Sequence, residues 1–421
     1  MRADLSTLAG ISTSRRFRMA TIPLQEPVYR GNDGPVFFAA GFRPFFLSAA
    51  LQAVVTLPLW LAVYVGGIDL KLTYAPSLWH AHEMVYGFAA AAIGGFLLTA
   101  VPNWTNTHHV SGRPLMALFA AWLAGRLAFM LGGMLPPPLV AVLDLTYLPL
   151  LAFLVGRPLL AAGKWRNIGF LFILGLLWAI DAAIHAHIAL GIGDGLAAIW
   201  LAIGLVLATV VIVGGRIVPS FTQNWLRMQG RPVEAVPVAW IEKGGAVGSV
   251  IAGSVLAAFA PTSPAAGAVL LAAAAINGVR LARWHGIHTA SNPILWVLHL
   301  GYLWLVVGLA LLGLSSFLPA LPPSAAVHAL TAGSIGTMVL GVMSRAALGH
   351  SGRPLEVARL TVAAYWLLSV GTALRVAAPL LGNAQMGMTH AGGTAWSLAW
   401  LLFAIVYFPI LTRPRSDGRP G

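Results

Sequence analysis

From residue 44 onward the chain alternates long apolar stretches with short polar links. Twelve of these stretches approach the roughly 20 residues that a helix needs to cross a bilayer. They fall at about 44–66, 80–102, 114–134, 138–160, 167–190, 195–218, 238–260, 265–284, 292–314, 323–346, 356–381 and 392–412. The third and fourth meet at Pro136-Pro137-Pro138, and the eighth is short. Most links are brief and punctuated by Gly or Pro, leaving no room for a separate soluble domain. Residues 1–36 carry Arg2, Arg15, Arg16 and Arg18 without an apolar h-region, and read as a basic arm rather than a cleaved signal peptide. The expected organisation is this arm, one twelve-helix membrane domain over 37–412 and a tail over 413–421.

Composition makes the membrane reading firm. The 421 residues are 58% hydrophobic and 9% charged, with a mean hydropathy of +0.83. Soluble chains are about a quarter charged, so too few ionic groups are present to wet a globular surface. That excludes a cytosolic enzyme with one ordinary core, and it excludes a disordered chain. The fold class is all-α and polytopic. Lys and Arg number 25 against 12 Asp and Glu, a formal charge of +13. In a soluble protein this excess would suggest nucleic acid; here the charges sit singly between apolar runs and report orientation, so no nucleic-acid partner is expected. Twenty-one of the 25 fall on the side of the N-terminus or at helix ends abutting it. Lys71 alone lies in an opposite-side loop, and Arg126, Lys243 and Arg375 lie within spans. The positive-inside rule then predicts that both termini are cytoplasmic. Cysteine is absent. Disulfides, c-type haem attachment, thiolate zinc, iron–sulfur clusters and blue copper are thereby excluded, and any metal must be held by His, Met, carboxylate or carbonyl.

Three helix ends on the basic side look alike. Val101-Pro102-Asn103-Trp104-Thr105-Asn106 leads to Gly112-Arg113-Pro114-Leu115, and Val218-Pro219-Ser220-Phe221-Thr222-Gln223-Asn224 leads to Gly230-Arg231-Pro232-Val233. Val342-Met343-Ser344-Arg345 leads in the same way to Ser351-Gly352-Arg353-Pro354-Leu355. The separations, 117 residues from 102 to 219 and 124 from 219 to 343, are about four helices each and predict three diverged four-helix units. Gly-Arg-Pro alone is accounted for by proline opening a helix at the membrane rim. The shared Val-Pro-x-aromatic-Thr upstream favours repetition.

Ionisable side chains inside spans cost roughly 2.5–3.5 kcal/mol each on insertion scales and are functional candidates by default. The second helix opens Trp79-His80-Ala81-His82-Glu83-Met84-Val85-Tyr86-Gly87. At about 100° per residue His80, Glu83, Met84 and Gly87 share one face, and His82 and Tyr86 share nearly the opposite one. The two histidines are therefore poorly placed to grip one ion; one is a candidate metal ligand and the other a supporting or neighbouring-site group. The fifth helix carries Asp181, His185 and His187, with Asp181 one turn from His185, near enough for a carboxylate to orient an imidazole. His80, His82, His185, His187, His328 and His390 all map to the outer, periplasmic third, whereas His299 lies near the cytoplasmic end of the ninth helix. His108, His109, His285, His288 and His350 read as solvated loop residues. The last outer loop, Gln385-Met386-Gly387-Met388-Thr389-His390, offers thioethers and an imidazole that would suit Cu(I), although Met is common in any apolar protein. Arg126, Lys243, Arg375, Asp144, Asp181 and Glu242 complete the intramembrane charges, and adjacent Glu242 and Lys243 face different ways.

Several motifs occur in a recognisable order. They are Gly41-Phe42-Arg43-Pro44-Phe45-Phe46-Leu47, the Trp79–Met84 run, and Gly95-Phe96-Leu97-Leu98-Thr99-Ala100-Val101-Pro102-Asn103-Trp104-Thr105. Gly214-Gly215-Arg216 with Pro219 and Phe221-Thr222 follows, then Leu298-His299 with Gly301-Tyr302, and His328-Ala329-Leu330-Thr331. Val342-Met343-Ser344-Arg345 leading to Leu348-Gly349-His350-Ser351-Gly352-Arg353 is the last. Together they resemble the NnrS family, bacterial haem- and copper-containing inner-membrane proteins linked to nitric-oxide metabolism and nitrosative stress. The resemblance covers about residues 37–360; Ser344 and Ser351 stand where the family pattern often has Thr, and the last two helices carry no matching motif.

The resemblance implies a b-type haem and a copper ion in the bacterial inner membrane. It makes His82, His328, His299 and His185 candidate haem-binding residues, and His80, His82, His185, His299, His328 and Glu83 candidate metal ligands. Arg43, Arg126, Arg216 and Arg345 become candidates to clamp haem propionates by charge-assisted bonds, or to neutralise buried carboxylates instead. The implied function is to bind nitric oxide, or to remove it or its iron-nitrosyl products, with nitric oxide or a related small molecule as ligand and an unidentified electron donor. Nitric oxide is small and apolar, and would reach a centre inside the bilayer without a polar channel. A competing expectation is a twelve-helix secondary transporter whose buried charges bind substrate or couple protons; it does not require imidazoles concentrated at one membrane level. A haem–copper oxidase or nitric-oxide reductase needs a dense mid-membrane set of histidines, whereas the adjacent pair His108-His109 sits in a loop.

Overall fold

A computed structural model describes residues 34–72, 74–233 and 236–420, so the expected basic arm lies almost wholly outside the described residues. Among those residues the chain is helical without strands, and twelve helices are long and apolar enough to cross a membrane, as the sequence predicts. They are α1 (Phe42–Tyr64), α2 (Pro76–Thr105), α3 (Arg113–Met130), α4 (Pro137–Ala161), α5 (Trp165–Leu190) and α6 (Gly195–Met228). The second half comprises α7 (Ile241–Phe259), α8 (Pro264–Ala282), α9 (Pro293–Ser315), α10 (Pro323–His350), α11 (Arg359–Leu380) and α12 (Gly382–Thr412). The protein is a multi-pass membrane protein.

Local chemistry sets where these helices begin. Proline opens α2, α4, α8, α9 and α10, where its missing N–H is not needed and its fixed φ suits the first turn. Asp194 caps α6 by accepting from the backbone N–H of Leu196 at 2.8 Å and Ala197 at 3.2 Å. Hydropathy misplaces three ends. The helix exits expected at Pro102 and Pro219 are interior: α2 runs on to Thr105, where left-handed Asn106 (φ 55°) stops it, and α6 continues to Met228. Likewise the expected outer loop Gln385–His390 is the opening of α12's α-helical part. Apolar runs end where water begins, but the backbone keeps its internal hydrogen bonds for another turn or two beyond.

Arg43 joins the two ends of the bundle. Its buried guanidinium donates to the carbonyls of Leu411 at 3.0 Å and Arg413 at 2.9 Å, satisfying acceptors that the end of α12 leaves open. The start of α1 and the end of α12 therefore share one face, hereafter the termini side. The centre belongs to α2, α6 and α10, whose apolar windows are 83%, 67% and 67% buried against 33–56% for the other nine. These three are the second helices of the units that the sequence predicts.

His109, expected in a solvated loop, is buried at 8% exposure. Burial chiefly, helped by the nearby charge of His350, pushes its pKa from 6.5 down to about 3, against a backbone hydrogen bond with Leu98 that acts the other way. Its contribution to stability is then complete above pH 6.5 and is lost as the pH falls from there toward 3, because only the unfolded chain takes up the proton. One such group contributes up to about 1.4 kcal/mol per pH unit. His109→Gln is expected to flatten the fall in melting temperature of the detergent-solubilised protein between pH 7 and pH 4.5; an unchanged slope would contradict this assignment.

Candidate metal centre

The halves of α2, α3, α4 and α5 away from the termini side bring together an ionic cluster inside the bundle. His82 ends the first α-helical stretch of α2, and a π-helical segment, Glu83–Ala89, follows it directly. Such widened turns cost regular hydrogen bonding and are frequent at functional sites. His82 Nε2 lies 2.9 Å from Asp181 Oδ1 and 3.1 Å from Asp144 Oδ2. His185 Nε2 lies 3.0 Å from the same Asp144 oxygen and 4.0 Å from Asp181 Oδ1. The turn-spaced Asp181–His185 pair expected from sequence is thus crossed: Asp181 serves His82, and Asp144 serves both imidazoles. One ligand atom from each of His82, Asp144, Asp181 and His185 falls within 4.8 Å of all the others, and all four residues are buried.

The surroundings fix this geometry and leave a charge imbalance. Phe129 stacks on His82 with ring centroids 3.7 Å apart. An added Cβ at Gly125 would sit 2.7 Å from Asp144 Oδ1 and 3.0 Å from its Cα, so glycine lets α3 and α4 approach closely enough to place Asp144. Arg126 Nη1 donates to Glu83 Oε1 at 2.7 Å, and its Nη2 donates to Asp144 Oδ1. Gln52 Nε2 donates to the other Glu83 oxygen at 2.5 Å. Three carboxylates, Glu83, Asp144 and Asp181, therefore face one guanidinium. A surplus of two negative charges is costly in this setting unless protons on the imidazoles or a divalent cation offset it. Two imidazole nitrogens and two carboxylate oxygens form a donor set suited to a borderline divalent transition metal.

A second feature lies on the other face of α2. An apolar cavity, partly continuous with the exterior, opens between α1, α2, α6, α10, α11 and α12. His80, His328 and Arg375 are its main polar groups, with Met84 and Trp60 beside them. The His80 ring stacks on Trp60, centroids 4.7 Å apart and 5° between planes, and its buried Nδ1 has no hydrogen-bond partner. His328 precedes a second π-helical segment, Ala329–Ile335. Its Nδ1–H donates to the Ser324 carbonyl at 2.7 Å, which leaves the lone pair on Nε2, the form that ligates a metal.

The predicted outer level of histidines thus divides in two, His82 with His185 and His80 with His328. The opposed faces of His80 and His82 were legible in their spacing. His299 joins neither group: its Nε2 is hydrogen-bonded with Thr222 Oγ1 at 2.9 Å toward the termini side, and its buried Nδ1 lacks a partner. His187 meets the Gly193 carbonyl at the rim opposite the termini side, and Met386, Met388 and His390 do not line the cavity. Among the arginines read as propionate clamps, Arg43 caps α12 and Arg126 neutralises carboxylates. Arg216 donates to Asn167 Oδ1, and Arg345 lies 3.8 Å over the Phe221 ring. None of the four lines the cavity; Arg375 does. Asp144 and Asp181 as ligands, and Arg375 and Trp60 at the cavity, are the residues that sequence reasoning did not assign to a site. Asp181 has a signal in its spacing from His185, whereas Asp144 has only its place as a charge inside a span.

A family model described as NnrS protein matches residues 36–415, which takes in both groups of histidines and also α11 and α12, where no motif was legible. No curated protein matches the chain. With nearly the whole described bundle inside that match, the chain belongs to the NnrS family.

Proposed function

We propose that this is a haem–copper protein of the bacterial inner membrane that binds nitric oxide, or removes it or its iron-nitrosyl products, in nitrosative stress and denitrification. The observation that carries the reading is the pair His80 and His328 on the wall of one apolar, membrane-embedded cavity, separate from a buried His–Asp cluster. His80 and His328 would hold a b-type haem, with Arg375 for a propionate; His82, His185, Asp144 and Asp181 would hold copper. When bound, the haem supplies an iron able to take a diatomic gas, and copper supplies a second redox-active ion. Carboxylate donors suit Cu(II) better than Cu(I).

The chain's own groups prepare both places. The Ser324 carbonyl fixes the ligating tautomer of His328, and Trp60 holds the plane of His80. Arg126 keeps Glu83 and one oxygen of Asp144 occupied, leaving Asp144 Oδ2 for the imidazoles and an ion. The apolar wall would admit a small uncharged gas from lipid.

The test is an optical spectrum of the purified protein, oxidised, reduced and then exposed to nitric oxide, with iron and copper counted on the same sample. Reduced haem bands that shift with nitric oxide, and one copper per chain, are expected. A colourless protein that stays metal-free after haem and copper supplementation would contradict the proposal and favour a transporter that uses the same buried charges.

A further inference from the structure

The Gly214-Gly215-Arg216 run of α6 has no part in either proposed centre. Its Gly215 and Arg216 line a polar cavity at the termini-side ends of α6, α7 and α8. Arg280 and Glu242 on this wall are closed on each other. Arg280 Nε donates to the two Glu242 oxygens at 2.9 and 3.1 Å, and Nη2 donates to Oε2 at 2.5 Å. Its Nη1 donates to the Val211 carbonyl at 2.9 Å and the Tyr302 hydroxyl at 3.1 Å. An added Cβ at Gly215 would overlap the Arg280 guanidinium, so glycine here is what lets the ion pair pack against α6.

With Glu242 consumed, two cations on the wall have no carboxylate among the described residues. Arg216 donates through Nη1 to Asn167 Oδ1 at 3.0 Å, and Arg283 donates through Nε to the Val236 carbonyl at 2.6 Å. Both acceptors are neutral; the Arg216 guanidinium also lies over the Phe170 ring, 5.9 Å from its centroid, and neither arginine has a further hydrogen-bond acceptor among the described residues. Ser220 and Gln223 also line the cavity. Two guanidinium forks flanked by neutral donors match the flat oxygen pairs of a phosphate-class anion.

We propose that this cavity binds a phosphate-class oxyanion through Arg216 and Arg283, independently of the haem and copper assignment. The same chemistry is offered by the headgroup of an anionic phospholipid and by a free oxyanion. The full-length protein in phosphatidylcholine nanodiscs distinguishes them. One arm adds phosphatidylglycerol and counts retained lipid by native mass spectrometry; the other titrates orthophosphate calorimetrically. Retained phosphatidylglycerol without phosphate binding identifies a lipid site, and the reverse identifies a free-anion site. Arg216→Gln and Arg283→Gln are each expected to weaken the positive arm about fivefold. Arg227→Gln, which removes an exposed cation elsewhere on the same rim, is expected to leave it unchanged. Both target arginines are exposed, so the folded helical content should survive, and Arg283→Lys, which keeps the charge without the fork, should bind between wild type and Arg283→Gln. Neither probe binding to the wild type, equal binding by the Arg216→Gln/Arg283→Gln double variant, or an equal loss in Arg227→Gln would overturn the proposal.

Discussion

His328→Ala is expected to strip haem from the purified protein while leaving copper in place, and His82→Ala is expected to do the reverse. The resemblance alone puts both residues among haem candidates. The structure separates them: His328 lines the apolar cavity with His80, whereas His82 faces Asp144 and Asp181 with no hydrogen bond or cavity wall in common. Removing the His328 imidazole would take away the proposed haem ligand, whose tautomer is fixed by the Ser324 carbonyl. Removing His82 leaves His185 and two carboxylates, a weaker set. Loss of a supporting group around a metal costs about 10–100-fold in affinity, and loss of a ligand should cost at least that. Iron, copper and haem counts on the two variants check the pattern. Parallel loss of haem from both would show that the two groups serve one centre.

Arg126→Met is expected to be the most destabilising single change in the bundle. It removes the guanidinium that pairs with Glu83 and Asp144, both of them buried, beside the buried carboxylate of Asp181. Breaking a buried ion pair by deleting one partner typically costs about 3–5 kcal/mol, because the other partner is left charged and desolvated. Adding Glu83→Gln to Arg126→Met should recover a sizeable part of that loss by removing one orphaned carboxylate, whereas Glu83→Gln alone should be mild, since Gln52 still offers a hydrogen-bonding partner. Thermal unfolding of the three variants in one detergent supplies the comparison. An Arg126→Met protein as stable as the wild type would mean that the carboxylates are already neutral.

Most of the architecture is legible in the order of residues. Twelve spans follow from run length alone, since lipid admits little else than a helix whose backbone satisfies itself. Helix ends are less so, and α6 shows why: hydropathy falls at Pro219, but the helix carries on for nine residues to Met228 through the polar rim. The site is half legible. The spacing of His80 and His82 already requires two directions, and the cost of burying His185 and Asp181 marks them as meaningful. Nothing in the sequence tells that Asp144, on a helix that follows a proline run, packs through Gly125 against α3 and reaches both imidazoles. For a related reason the sequence leaves the arginines open between clamping propionates and neutralising carboxylates. A buried guanidinium satisfies helix-end carbonyls, as Arg43 does, or carboxylates, as Arg126 does, and its neighbours in sequence do not say which.

The most direct test is a low-temperature electron paramagnetic resonance spectrum of the oxidised protein loaded with haem and copper. Two centres built on different faces of α2 predict separate ferric-haem and Cu(II) signals, the latter with mixed nitrogen and oxygen ligation that disappears in His185→Ala. A single coupled centre, silent until one metal is removed, or a copper signal untouched by that substitution, would contradict it.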